Sequence, residues 1–290
     1  MKPRILGRTG LKVSPIAVGG AAFSYVQDSS GWNPKSEEGR QLVYRTINTA
    51  LDNGITYLDT APAYGDGYSE TLFGEVMKTR RRDCVLASKV WYDLDAQAVA
   101  ASVHDSLTRL NTDYIDVMQI HGRIYTPDEV RHVSEVVVPA LVRLREAGKI
   151  GHIGITSEEP FCLMPFLQND EISIYQIAYN LIYQAAARHF LIEAAARNVG
   201  VVTMRTMTSG VLQHEMAHLA PGMGEQFNLY DACLKFVLSD SRVHVGIVGP
   251  RWPEEVLANI RTARDWVPPY DFADVPRLTF KVYEAEDSAR

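Results

Sequence analysis

The sequence predicts an α/β fold, a (β/α)8 TIM barrel with a short N-terminal β-hairpin. Three observations lead there. Eight short apolar runs punctuate the chain, and helical patterns separate them. The helical segments run to about 10–20 residues, the usual span of a globular helix. No early run is followed by the G-x-G-x-x-G turn of a doubly wound dinucleotide sheet, and Gly19-Gly20 does not supply one. Regular strand–helix alternation implies a parallel sheet, and eight units in 290 residues suit a closed barrel.

Taken in order, Arg4 to Ser14 read as the hairpin. The barrel strands are expected at Ile16–Gly20, Tyr57–Thr60, Val85–Lys89, Ile115–His121, His152–Ser157, Ile174–Asn180, Gly200–Arg205 and Val243–Gly249. Between them, Ala96 to Leu110 shows the helical period, with Val99, Val103, Leu107 and Leu110 on one face. Gly54, Gly148 and Gly200 each stand between a helical pattern and a strand, where a glycine closes a helix. After Arg264 come Pro268, Pro269 and Pro276, and this tail is expected to wrap the outside. No low-complexity linker or composition shift divides the chain, so residues 1–290 are read as one domain.

Composition narrows the function. The net charge of −6 argues against a nucleic-acid or anionic-membrane binder, which needs a basic face. The basic run Lys78-Thr79-Arg80-Arg81-Arg82 falls at a helix end, where cations suit the macrodipole. Cys84, Cys162 and Cys233 are odd in number and widely spaced, against a disulfide framework or a structural zinc site. The first fifteen residues hold no signal-peptide core, and no stretch reads as membrane-spanning. The expected compartment is the cytoplasm.

Asp59, Lys89 and His121 stand at the ends of the second, third and fourth strand runs, and Tyr64 lies on the loop after the second. In a barrel of this kind the strand C-termini carry the chemistry, so the four groups converge on one mouth. Each alone has an ordinary reading as a turn, packing or solvated residue. Together they suit proton transfer to a carbonyl oxygen. A phenol of pKa about 10 is a weak acid, and a neighbouring ammonium favours its phenolate. An aspartate holds that lysine, and a neutral histidine can orient the carbonyl. There is no G-x-S-x-G nucleophile. His214-Glu215-Met216-Ala217-His218 matches the letters of a zincin motif, but Pro221-Gly222 and Gly224 follow closely. A loop-like setting is expected there, and no resident metal.

From about Leu6 to Ile260 the chain resembles the aldo-keto reductase family. The resemblance rests on Tyr57-Leu58-Asp59-Thr60-Ala61 with Tyr64-Gly65, Ser69-Glu70 with Phe73-Gly74, and Ser88-Lys89. It continues through Asp113-Tyr114-Ile115-Asp116 leading to His121, and Gly148-Lys149-Ile150 leading to Gly154-Ile155-Thr156-Ser157. It implies that Asp59, Tyr64, Lys89 and His121 form the family's tetrad, with Tyr64 as acid or base. It also implies a nicotinamide cofactor, NADP with NAD as the alternative, extended across the barrel mouth without a Rossmann fold.

By the same resemblance, Thr156, Ser157 and Gln176 hold the carboxamide and Met204 packs on the nicotinamide. Arg205, Thr206 and Gly210 line the pyrophosphate. Gly249 and Arg251 precede a helix facing the adenosine phosphate, and Gly20, Glu255 and Asn259 complete the cofactor set. After Lys89, Trp91 and Tyr92 offer an apolar wall for the substrate, with plain packing as the other reading, and Arg123 is set on the substrate side. Three positions depart from the family's common pattern: Ser157 replaces an asparagine, Met204 an aromatic residue, and Gly122-Arg123 the Trp-Pro or x-x-Asp that commonly follows the histidine. The implied function is an NAD(P)(H)-dependent oxidoreductase interconverting an alcohol and a carbonyl of an aldehyde, ketone or sugar. The competing reading is a cofactor-binding barrel acting as a redox sensor or regulatory subunit. The expected partner is a small molecule rather than a nucleic acid or membrane.

Overall fold

Alternation of side chains along eight short strands builds this molecule around two separate interiors. A computed structural model describes residues 1–25, 30–220, 222 and 227–274. Two short strands, β1 (Arg4–Ile5) and β2 (Lys12–Val13), pair antiparallel. The barrel strands follow as β3 (Ile16–Gly19), β4 (Tyr57–Asp59), β5 (Val85–Trp91), β6 (Ile115–His121), β7 (Ile150–Ser157), β8 (Ile172–Ala178), β9 (Gly200–Met204) and β10 (Val245–Val248). All eight pair parallel and close in the order β10-β3-β4-β5-β6-β7-β8-β9. The expected fold and hairpin are both present, and the strand bounds agree to within a few residues.

Successive strand residues point to opposite faces. One set (Ile16, Val18, Leu58, Leu86, Met118, Ile120, Ile153, Ile155) faces outward and packs with the helices in the larger apolar cluster. The other set (Ala17, Tyr57, Ala87, Val117, Ile174, Val202, Val245) fills the barrel with a smaller cluster. Leu6 and Val13 from the hairpin join that inner cluster and close it at the strand N-termini. Ser14 anchors the hairpin there, donating its backbone N–H to Thr56 Oγ1 at 2.9 Å. Two residues further along, the inward positions become Asp59, Lys89, Gln119, Gln176 and Met204. The floor of the barrel is therefore apolar and its upper layer polar.

Helices α1 (Glu37–Asp52), α2 (Tyr68–Arg80) and α3 (Ala96–Arg109) follow the first barrel strands. Ser36 caps α1 by accepting the Gly39 N–H, and Asp95 caps α3 by accepting that of Ala98. The apolar stripe expected on α3 is buried. Gly54 (φ +84°) and Gly148 (φ +70°) close helices in the left-handed region, as expected. Gly200 does not: it is the first residue of β9, and Asn198 (φ +49°) makes the left-handed turn. Gly200 is small because a Cβ there would lie 2.8 Å from Leu6 Cγ, so this glycine admits the hairpin plug. The tail packs outside the barrel, with Phe272 on Phe236 at 4.5 Å between ring centroids and Trp266 Nε1 donating to Ser239 Oγ at 3.1 Å. Pro276 lies outside the described residues. Among these residues no helix is long and apolar enough to cross a membrane.

Leu6 is fully buried in the plug. Leu6→Ala is expected to lower unfolding free energy by about 2–5 kcal/mol, the usual range for such a cavity. Urea denaturation measures this, and activity at saturating substrate should persist because the plug lies at the strand end opposite Tyr64.

Candidate active site

Lys89 lies inside the barrel, and its side chain is only 1% exposed. Nζ donates to Asp59 Oδ2 at 2.8 Å and to the Thr60 carbonyl at 2.8 Å. Gln119 Nε2 donates to the other carboxylate oxygen, Asp59 Oδ1, at 3.0 Å. Gln176 adds a further side-chain hydrogen bond to Asp59. Residues from β4, β5, β6 and β8 thus meet in one layer because each points inward. Burial pushes the Asp59 carboxyl up, and the Lys89, Gln119 and Gln176 bonds oppose that push. Burial alone would lower Lys89, but Asp59 and Tyr64 outweigh it and raise the ammonium above its ordinary value. The lysine is therefore a fixed cation.

Tyr64 hangs over this layer from the β4–α2 loop. Lys89 Nζ lies 4.8 Å from the centre of its ring. The loop turns through three successive left-handed residues, Gly65 (φ +66°), Asp66 (φ +53°) and Gly67 (φ +83°), before α2 begins. Helix α2 then locks to the barrel. Ser88 Oγ donates to Glu70 Oε1 at 2.5 Å, and Arg109 Nε to Glu70 Oε2 at 2.7 Å. Ser69 Oγ donates to the Gly20 carbonyl at 2.9 Å. The Ser69-Glu70 and Ser88 motif pieces thereby act as the frame that places Tyr64.

Burial pushes the Tyr64 phenol up. Lys89 opposes through its charge and a hydrogen bond, and Asp59 adds to the rise. The net direction is upward, which corrects the simpler expectation of a phenol lowered by its lysine. Lys89 offsets desolvation without overcoming it, so Tyr64 rests protonated near neutral pH. His121 meets Tyr64 edge-on, with centroids 6.4 Å apart. Burial and then Lys89 push its imidazole down to about 3, so it is neutral.

The remaining sequence-derived positions divide. Thr156 and Gln176 face inward at the mouth and are buried. Gln176 Oε1 is one of three buried side-chain polar atoms without a partner among the described residues, beside Gln119 Oε1 and Tyr57 Oη. A buried amide oxygen left unpaired at a mouth fits a group that brings an N–H donor, as a carboxamide does. Ser157 lies on the outward register with Ile177 and accepts the Glu159 N–H at 3.2 Å. Met204 is half-buried at the end of β9.

Arg205 (φ +54°) is exposed and ion-pairs with Glu158. Thr206 is buried and shares a hydrogen bond with Thr203 at 3.2 Å. Thr208, Ser209 and Gly210 (φ +56°, +54° and +81°) form a left-handed run just before the helix Val211–Leu219. Residues in this conformation gather at functional loops; within this run the Thr208 and Gly210 N–H groups are already used, donating to the Arg205 carbonyl at 2.8 Å and the Met207 carbonyl at 3.1 Å. The Gly20 Cβ position is filled by Ser69 Oγ at 2.4 Å and Phe73 Cε2 at 2.6 Å, so this glycine serves packing. Gly249, by contrast, has only Ala22 Cβ within reach, at 3.9 Å. Arg251 donates to Tyr25 Oη at 3.0 Å and lies over that ring, 5.7 Å from its centre. Glu255 accepts the Arg251 N–H at 2.7 Å, and half-buried Asn259 stands one turn further on.

On the substrate side, Trp91 stacks on His121. Tyr92 donates its hydroxyl to Glu129 Oε1 at 3.2 Å. Its ring occupies the space beside Gly122, where a Cβ would sit 2.1 Å from Tyr92 Cδ1. That contact explains a glycine directly after His121. Arg123 is exposed, with Glu158 4.0 Å away. His214 and His218 do not lie in a loop: they occupy the exposed helix Val211–Leu219, and the following Pro221 comes after its end. Among the described residues no cluster of three metal-ligating side chains exists.

Known proteins share this fold and part of this sequence. Residues 15–227 match the model of the aldo/keto reductase family. The chain is 35% identical over 162 residues to the L-galactose dehydrogenase of Arabidopsis thaliana, a match covering 53% of this chain and 47% of that protein. The holo structure of an aldo-keto reductase from Bacillus halodurans is similar with a TM-score of 0.74 at 26% identity, covering 92% of both chains. An aldo-keto reductase from Klebsiella pneumoniae, solved with NADP and acetate, shares the fold with a TM-score of 0.73 at 22% identity, over 96% of this chain and 95% of that one.

Removing one partner of the buried pair leaves the other uncompensated. Asp59→Asn is expected to cost about 3–5 kcal/mol of stability, read by denaturant unfolding. Adding Lys89→Met to Asp59→Asn should return part of that loss, because the stranded cation is then gone.

Proposed function

The chain belongs to the aldo/keto reductase family and is a nicotinamide-dependent oxidoreductase of carbonyl and alcohol groups; we propose that Tyr64 is its proton donor and acceptor. The observation that carries this is the placement of a buried cation, Lys89 Nζ, 4.8 Å from the Tyr64 ring centre and 2.8 Å from Asp59. The protonated phenol gives its proton to a carbonyl oxygen as negative charge develops there. Lys89 stabilises the phenolate that remains, and the reverse reaction uses that phenolate as base. His121, neutral beside Lys89, offers a hydrogen bond that orients the same oxygen. The nicotinamide, when bound, supplies or accepts the hydride.

Gln176 and Thr156 hold the carboxamide in this reading, supported by the unpaired Gln176 Oε1. Ser157 contributes by fixing the turn at Glu159, and Met204 lies against the ring. The left-handed run ending at Gly210, with Arg205 beside it, takes the pyrophosphate. Arg251 and the open space at Gly249 take the adenosine phosphate, with Asn259 on the helix that follows, Pro253–Asp265. Glu255 is engaged by the Arg251 backbone, which reduces its pull toward a ribose hydroxyl and leaves NADPH as the proposed cofactor. Trp91, Tyr92 and Arg123 border the substrate, a small carbonyl compound or alcohol. Three free thiols, Cys84, Cys162 and Cys233, suit the reducing cytoplasm.

Two measurements test this. Tyr64→Phe should slow turnover by about 10²–10⁴-fold while NADPH binding, followed by tryptophan fluorescence, persists. Near-normal turnover would remove Tyr64 from the chemistry. Arg251→Ala should weaken NADPH by about tenfold or more and leave NADH nearly unchanged. Tighter binding of NADH by the parent enzyme, with NADPH unaffected by that substitution, would reverse the cofactor assignment.

A further inference from the structure

Trp91 and His121 are cross-strand partners on β5 and β6. Their rings lie almost parallel, at an interplanar angle of 7°, with centroids 4.9 Å apart. Tyr64 meets the same imidazole nearly at right angles, at 83°. One face of His121 is thus covered by indole, and the Tyr64 ring stands nearly at a right angle to it. Trp91 itself is 44% exposed, so core burial does not account for its place. We propose that Trp91 is a positioning residue for His121: its indole face holds the imidazole upright against Tyr64 and keeps water from it.

The charged groups around His121 make this cover consequential. Lys89 on β5 repels an imidazolium. Asp59 on β4 is held by Lys89 and Gln119, and Glu158 after β7 by Arg205 and Arg123. Arg123, on the continuation of β6, adds a second cation near the same mouth. No carboxylate among these neighbours is free to pair with a protonated ring. An indole face attracts a cation, which by itself favours the charged ring. Loss of hydration is the larger effect, as the first cause of the fall to about 3. Removing the indole therefore opens His121 to water and lets it take a proton at higher pH.

This assignment uses the reading of His121 given above, but its test does not depend on turnover. Histidine-labelled free enzyme, titrated by NMR without cofactor or substrate, should show His121 neutral across pH 5–8. In Trp91→Ala the same ring should bind its proton at least about tenfold more tightly. Trp91→Phe should restore most of the original behaviour, since it keeps a flat cover. Trp91→Leu, an apolar cover without a flat ring, should fall between them and serves if the alanine variant does not fold. In the pH profile of kcat/KM, Trp91→Ala should gain an ionisation below neutrality for every substrate tried. An unchanged His121 titration in the folded alanine or leucine variant, with only KM altered in a substrate-dependent way, would leave Trp91 as a substrate wall alone and overturn the proposal.

Discussion

A lysine and an aspartate buried together inside a barrel constrain everything else in this site. Ion pairs in such places are not stabilising by default, because desolvation can exceed the Coulombic gain. Here nearly every bond the pair can make is made. Lys89 Nζ has two acceptors, and Asp59 takes donors from Lys89, Gln119 and Gln176. Those partners sit on four different strands, so the arrangement exists only when the barrel is closed and in register. The reward is a permanent cation under a phenol that desolvation would otherwise make too weak an acid.

Rigidity and strain are distributed accordingly. The lower layer is apolar and plugged by Leu6 and Val13. Of the six non-glycine left-handed residues among those described, four (Asp66, Arg205, Thr208 and Ser209) lie at the mouth, while Asn111 and Asn198 turn the loops that enter β6 and β9. Residues held in this region for non-glycine types cost of order 1–3 kcal/mol each and persist where the surroundings fix them. Around Tyr64 the fixing comes from Glu70, which is fully buried between Ser88 and Arg109. A carboxylate on the inner face of a surface helix thus reaches the active site by holding its loop.

The strands were legible because each is a short apolar run, and in β4, β5 and β6 a polar residue stands at or near the exit. Asp59, Lys89 and His121 stood out for the same reason. Gln119 was equally readable, as the one amide in Ile115-Asp116-Val117-Met118-Gln119-Ile120-His121, yet its task depends on which face it shares with Asp59. Strand register, unlike strand position, is a long-range property. Gly200 looked like a helix cap, but its size is set by Leu6, nearly 200 positions away in the chain. The helix bearing His214 and His218 was obscured by Pro221 and Gly222, which follow its end rather than interrupt it. The direction of the Tyr64 shift was hidden as well, because burial competes with Lys89 and only packing shows how much of each there is.

The central claim is that Lys89 sets the proton affinity of Tyr64, and the pH dependence of alcohol oxidation in Lys89→Met tests it most directly. Oxidation needs the phenolate. Loss of the cation should move the ionisation that activates the enzyme to higher pH and lower the rate near neutrality by about 10²-fold or more. A folded Lys89→Met protein that keeps the parent's pH profile for oxidation would contradict the account.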